Sequence, residues 1–260
     1  MGRSQGRCIA VANEKGGVGK TVTVINLAAA LCQMQKQVLV VDMDPQANAT
    51  KGFGVVLEPS APSVYDLIGN DHQKGAQEVR ITSQWPGIDI IPSHVDLAGA
   101  EIELVDQPGR ENRLKEALSP FRGEYDFIIL DTPPSLSILT INVFAFADEV
   151  LVPCQTHPYA FGALEDLFDT IEAVKEEIND RLSIVGIVAT LFDRRTRVSN
   201  QILEALRSDP RYRDLVFQGT IRMNTTITES AAVGKPVVFY RKSSFGALDY
   251  LQLAREMLQR

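Results

Sequence analysis

Apolar residues in this chain gather in short continuous runs rather than in strict alternation with polar ones. CIAVAN, QVLVVDMD, IDIIP, DFIILDT, EVLVPC and LSIVGIVATL are the clearest of these runs. Side chains of a strand point alternately to its two faces, so a continuous apolar run marks a strand covered on both sides. Between the runs the spacing turns helical, near residues 20–34, 95–119, 136–147, 160–179 and 196–208. This alternation predicts an α/β fold: a doubly wound, mostly parallel sheet with helices on both faces. Past residue 209 the pattern predicts a strand at FQGTI, a helix over 226–233, a strand at PVVFY and a terminal helix over 246–259. Residues 52–87, with scattered Gly and Pro, are the most irregular stretch. No repeat or low-complexity linker divides the chain, and residues 1–260 are expected to form one domain.

Composition narrows the class. The 260 residues are 45% hydrophobic and 23% charged, ordinary for a soluble globular protein. No apolar run reaches the roughly 18 residues of a membrane span, and the N-terminal apolar stretch is too short for a secretory signal. Cys8, Cys32 and Cys154 sit in apolar segments without paired spacing, as small core residues in a reducing compartment do. The cytoplasm is the expected location. His72, His94 and His157 form no metal-ligand pattern with one another or with the cysteines. A net charge of −7 argues at first against nucleic acid, yet the charge is unevenly spread. Residues 1–193 hold 14 Lys/Arg against 27 Asp/Glu, whereas residues 194–260 hold 12 against 6. Such asymmetry points to a basic face on an acidic body.

The chemistry concentrates in NEKGGVGKT, residues 13–21. It departs from the phosphate-loop pattern G-x-x-x-x-G-K-[ST] in having Glu14 where the first glycine belongs, and it adds a lysine, Lys15. The stretch lies between a predicted strand and a predicted helix, the setting in which such a loop binds phosphate. Gly16, Gly17 and Gly19 can turn successive N–H groups toward one point, and the helix N-terminus adds partial positive charge. Lys20 is expected at the β- and γ-phosphates and the Thr21 hydroxyl at Mg²⁺, with Lys15, Val18 and Val22 completing the ATP-binding segment. Lys15 on the outer rim could serve a nucleotide held by a second subunit, as an arginine finger does. Asp42 and Asp44 share one side of a strand end, where an open α/β sheet carries its ligand crevice. An aspartate at this place can orient the attacking water or accept a hydrogen bond from it. Asp131, after FIIL, has the form of a carboxylate that reaches Mg²⁺ through its water shell.

KGGVGKT resembles the deviant Walker A motif of the ParA/MinD family of ATPases. VVDMDPQANAT, FIILDTPPSLSILTINVF and GKPVVFYRKSSFGALDYLQLARE extend the resemblance over most of the chain, most strongly toward the ParA/Soj partitioning branch. The resemblance implies an ATP-dependent sandwich homodimer, with Lys15 crossing to the other subunit's ATP. It also implies slow hydrolysis stimulated by a ParB-like or cargo-linked protein, and non-specific DNA binding on the nucleoid. It places Asp44 at the attacking water, Asp42 in support of the loop and the metal shell, Pro45 and Gln46 in an ATP-sensing switch segment, Asn224 at adenine and Arg195 at DNA. The family's Pro-Arg-Asn-Val-Arg-Leu-Ser-Glu segment is altered here to Arg222, Met223, Asn224, Thr225, Thr226, Ile227, Thr228 and Glu229, so both of its arginines leave their places. Arg194, Arg195, Arg197, Arg222, Lys235, Arg241 and Lys242 remain as candidate phosphate contacts. HPYAFGAL also departs, with His157–Pro158 where the family carries an acidic residue before the aromatic.

Two other classes are open to test. A MinD-like membrane-surface ATPase needs a terminal amphipathic helix with flanking lysines. LDYLQLAREMLQR has an apolar face but only two basic residues, so no membrane partner is expected. An enzyme like the iron protein of nitrogenase needs cysteines that bridge a dimer, and Cys154 has no suitably placed second cysteine.

Overall fold

A computed structural model describes residues 6–69 and 74–260. Eight strands form one sheet: β1 (Arg7–Val11), β2 (Val38–Asp42), β3 (Ile81–Thr82), β4 (Ile88–Ile91), β5 (Phe127–Asp131), β6 (Glu149–Gln155), β7 (Ser183–Phe192) and β8 (Val216–Arg222). Their order is β3-β4-β2-β5-β1-β6-β7-β8. Every pairing is parallel except the short β3–β4 contact at the edge. The doubly wound sheet predicted from the apolar runs is therefore present.

Strand alternation explains why the runs are apolar throughout. Cys8 and Ala10 of β1, Leu39 and Val41 of β2, and Ile128 and Leu130 of β5 enter the core on one face. Ile9 and Val11, Val38 and Val40, and Ile129 enter the core on the other. The first core is closed by the helices Arg113–Leu118, Ile138–Phe146 and Ala160–Glu177 through Leu114, Val143, Leu164 and Ile171. The second is closed by Lys20–Gln33 and Phe245–Met257. Ala28, Ala29 and Ala30 are fully buried on the first of these helices, and their small side chains let the terminal helix pack close.

β1 lies in the middle of the sheet. β2 to β5 are laid on one side of it and β6 to β8 on the other. The winding thus reverses at β1, and a crevice opens beyond its carboxyl end, where open α/β sheets bind ligands.

Two expectations need correction. PVVFY is not a strand but a helical turn, Val237–Tyr240. The Pro236 carbonyl accepts from the N–H groups of Phe239 and Tyr240, both at 2.9 Å, and Val237 and Val238 are buried in the second core. Tertiary burial has overridden β propensity there. The helical pattern over 95–119 is two helices, Leu97–Glu103 and Arg113–Leu118, separated by a turn with Gly109 at φ 69°. Within 52–87 lies β3, whose two residues are too few to show a period. His72 lies outside the described residues.

Candidate functional site

The loop after β1 is braced from three strands. The Asn13 side-chain amide donates to the Pro153 carbonyl on β6 at 2.9 Å, and its oxygen accepts from the Lys15 N–H at 2.9 Å. The Thr190 hydroxyl on β7 donates to the Val18 carbonyl at 2.7 Å. The Thr132 hydroxyl, just past β5, donates to the Val11 carbonyl at 2.9 Å. Gly17 and Gly19 have φ of 76° and 92°, which favour glycine, and a Cβ on either would meet no atom within 4 Å. They face open space and form a cradle. Gly19 precedes the helix Lys20–Gln33, which has no side-chain cap and no acidic residue in its first turn. Its leading N–H groups are free for an anion.

Lys20 is only 7% exposed. Its ammonium donates to the Lys15 carbonyl at 3.2 Å. Burial lowers its pKa, and the charges of Asp131 and Asp44 oppose that shift. Thr21 and Val22 follow, half-buried, in the first turn.

Opposite the loop stand three carboxylates. Asp42 and Asp131 are register partners at the ends of β2 and β5, both fully buried. Asp42 is committed to its own loop. One of its oxygens accepts from the Thr50 N–H at 2.8 Å and the Thr50 hydroxyl at 2.7 Å, and the other accepts from the Asp44 N–H at 3.2 Å. Asp131 is different: both its oxygens are buried without a well-formed hydrogen bond, the Thr21 side chain offering only a weak one. Burial pushes its pKa well above the usual carboxylate range, the Asp42 charge adds to this, and Thr21 and Lys20 pull the other way. Burial also raises Asp42, against the Thr50 hydrogen bonds. Such a carboxylate beside a lysine and a threonine suits a divalent cation. Among the described residues no group of three or more His, Cys, Asp and Glu could hold a metal ion. A magnesium ion at Thr21 and Asp131 would thus take its remaining ligands from phosphate and water, as that ion commonly does.

Asp44 is 8% exposed, and its side chain accepts from the Gln46 N–H at 2.9 Å. Pro45 to Ala47 form a tight turn, with Ala47 at φ 53° before the short helix Asn48–Gly52. Thr50 escaped the sequence reading, although it lies in the quoted VVDMDPQANAT. It links Asp42 to the next strand end, because its hydroxyl also accepts from the Ser93 N–H at 3.0 Å.

A cavity of about 470 Å³ runs from Gly17, Gly19 and Val22 to Leu191, Met223 and Asn224. Asn224 caps the helix Thr225–Ala232, its oxygen accepting from the Thr226 N–H at 2.9 Å. Its NH₂ is left to donate to a ligand. The phosphate cradle and Asn224 therefore share one space.

The basic residues are less united. Arg194, Arg195 and Arg222 line a second cavity of about 410 Å³ with Met223 and Phe245. Arg195 bonds Asp193 through two nitrogens, at 3.0 and 2.9 Å, with its side chain 83% exposed. Arg222 is held by the buried Asp249 carboxylate and lies over the Phe245 ring, 4.3 Å from its centroid. Lys235 instead lies over the Trp85 ring at 5.3 Å. Arg197, Arg241 and Lys242 are exposed. His94 pairs with Asp96 at 3.0 Å, and the His157 ring lies 5.6 Å from Tyr159. Cys8 and Cys154 are buried, and burial pushes both thiols up to about 12.

The terminal helix spends its apolar face inside the protein. Ala247, Tyr250, Leu253 and Met257 are buried in the second core. Among the described residues no helix is long and apolar enough to cross a membrane.

Comparison with known proteins adds four relationships. An AAA domain family matches residues 6–184. The chromosome partitioning protein ParA of Myxococcus xanthus is 42% identical over 98% of this chain and 89% of its own. The sporulation initiation inhibitor protein Soj of Bacillus subtilis is 41% identical over 97% and 98%. Among solved structures, a Mycobacterium smegmatis protein described as cobyrinic acid a,c-diamide synthase, with a bound ATP analogue and magnesium, superposes with a TM-score of 0.85. It is 33% identical and covers 98% of this chain and 94% of its own.

Proposed function

Starting from a chain that belongs to the ParA/Soj family of partitioning proteins, we propose a nucleotide-driven switch. Residues 1–260 act as one ATPase domain that binds ATP and Mg²⁺, closes as a homodimer, holds non-specific DNA and lets go after partner-stimulated hydrolysis. The observation that carries the reading is the Asp131 carboxylate, buried without a well-formed hydrogen bond beside an open glycine cradle. The structure of the Mycobacterium smegmatis relative with an ATP analogue and magnesium supports the same choice of ligand.

Each residue has a task in this reading. The N–H groups from Gly16 to Val22 and the Lys20 ammonium bind phosphate oxygens, Lys20 leaving the Lys15 carbonyl to do so. Thr21 and Asp131 hold the metal, with Asp42 bracing the loop behind them. The metal would neutralise charge on the phosphates. Asp44 orients the attacking water, and Pro45–Ala47 relay the nucleotide state. Asn224 donates from its NH₂ to the adenine ring. Lys15 reaches the nucleotide of the second subunit, where an added positive charge favours the developing transition state.

DNA is held through phosphates by Arg194, Arg195, Arg197, Arg241 and Lys242, all exposed. Arg222 and Lys235 contribute less, being occupied by Asp249 and Trp85. The activating partner is a ParB-like or cargo-linked protein, and the cargo is a chromosome, a plasmid or a protein assembly. The protein works in the cytoplasm at the nucleoid. A DNA mobility shift with ATP, ADP and a non-hydrolysable analogue, at several salt concentrations, tests this. Retention only in the triphosphate states, falling steeply with salt, is expected. Retention indifferent to nucleotide would contradict the switch.

A further inference from the structure

The loop carries two lysines, and each meets a different partner. Lys20 bonds the Lys15 carbonyl. The Lys15 ammonium lies 6.0 Å from the centroid of the Tyr159 ring, and among the described residues it takes part in no ion pair. Tyr159 is 76% exposed, so packing does not account for an aromatic residue at this place.

The two residues sit on one frame. Asn13 ties the Lys15 N–H to the Pro153 carbonyl of β6. β6 runs on to Gln155 and into the turn that holds Tyr159. That turn is closed by the His157 N–H to Gln155 at 2.7 Å and the Ala160 N–H to His157 at 2.9 Å. Pro158 restricts the backbone just before Tyr159. Tyr159, the last residue of the altered stretch His157–Pro158–Tyr159, thus stands at the loop rim. A ring face attracts an ammonium weakly and leaves its charge intact, whereas a carboxylate would neutralise it. A phosphate oxygen displaces the ring easily.

We propose that Tyr159 is a positioning residue for Lys15: its ring parks the Lys15 ammonium at the rim until the nucleotide of a second copy of the chain draws it across. The proposal rests on the dimer reading above. It explains why an exposed aromatic stands beside the rim lysine.

The test uses the full chain with labelled lysines and three forms: unchanged, Tyr159→Phe and Tyr159→Leu. In nucleotide-free protein, ring current moves the Lys15 ε-methylene proton resonance upfield; this shift persists in Tyr159→Phe and disappears in Tyr159→Leu. With a non-hydrolysable ATP analogue, Tyr159→Leu dimerises about two- to fivefold more tightly, because no parked contact competes, and Tyr159→Phe matches the unchanged chain. An absent ring-current shift, or a dimer constant insensitive to Tyr159→Leu, overturns the proposal. A ring-current shift without any analogue-driven dimer overturns the dimer reading and the release step with it, while the parked contact stands.

Discussion

The nucleotide crevice and the basic region after residue 193 use charge in opposite ways. In the crevice, Lys20, Asp42 and Asp131 are buried, and Asp131 is left without a well-formed hydrogen bond where a ligand would satisfy it. In the basic region, Arg195 is exposed and turned back on Asp193, and Arg222 is locked to Asp249. A buried unsatisfied charge is costly unless something binds it, whereas an exposed paired one is nearly neutral to stability. The first region is therefore built around a ligand. The second has its formal charge reduced by its own carboxylates, so a count of arginines overstates what it offers to DNA.

Breaking the crevice should have the largest effect. Lys20→Ala removes a charge-assisted contact to phosphate and should weaken ATP binding by at least about 100-fold, measured by calorimetry. Melting without nucleotide should show an intact fold.

Asp131→Asn should cut both ways. Because burial and Asp42 raise the Asp131 pKa, the ionised form costs the folded state stability as pH rises above the ordinary carboxylate range. The nucleotide-free variant should melt higher at neutral pH, by about 2–8 °C, with the gain vanishing in strong acid, where both forms are neutral. The Mg²⁺-dependent gain in thermal stability with ATP should be lost. A variant that melts lower at neutral pH would contradict a carboxylate without a well-formed hydrogen bond.

Lys15→Gln separates the rim from the cradle. ATP binding should stay within about twofold, and stimulated hydrolysis should fall by about 1,000-fold, the scale of an arginine finger. Wild-type turnover in a coupled ATPase assay would remove the role given to Lys15.

The basic region should yield smaller effects that sharpen the contrast. Arg195→Glu should reduce DNA retention and lower the salt slope by about one. Arg222→Gln should matter less for DNA, because Asp249 already occupies the guanidinium. Equal losses at the two positions would dissolve the distinction.

The sequence made the crevice legible because a phosphate loop needs particular residues at fixed spacing between a strand and a helix. Gly17, Gly19 and Lys20 stand where that spacing puts them. The parallel sheet was legible for a similar reason, since covered strands must be apolar on both faces. What stayed hidden depends on partners distant in the chain. Asp249 meets Arg222 across 27 positions, and Tyr159 meets Lys15 across a sheet crossover. PVVFY has strand composition, yet Pro236 and the packing of Val237 on Asn26 make it a turn, with the Val237 N–H donating to the Asn26 side chain at 2.7 Å.

The most direct test is light scattering on Asp44→Ala, a form in which the proposed hydrolysis is blocked, with ATP and Mg²⁺. Twice the chain's mass with ATP, and a single chain with ADP, is the predicted result. A single chain in both would contradict the switch and leave only a nucleotide-binding domain.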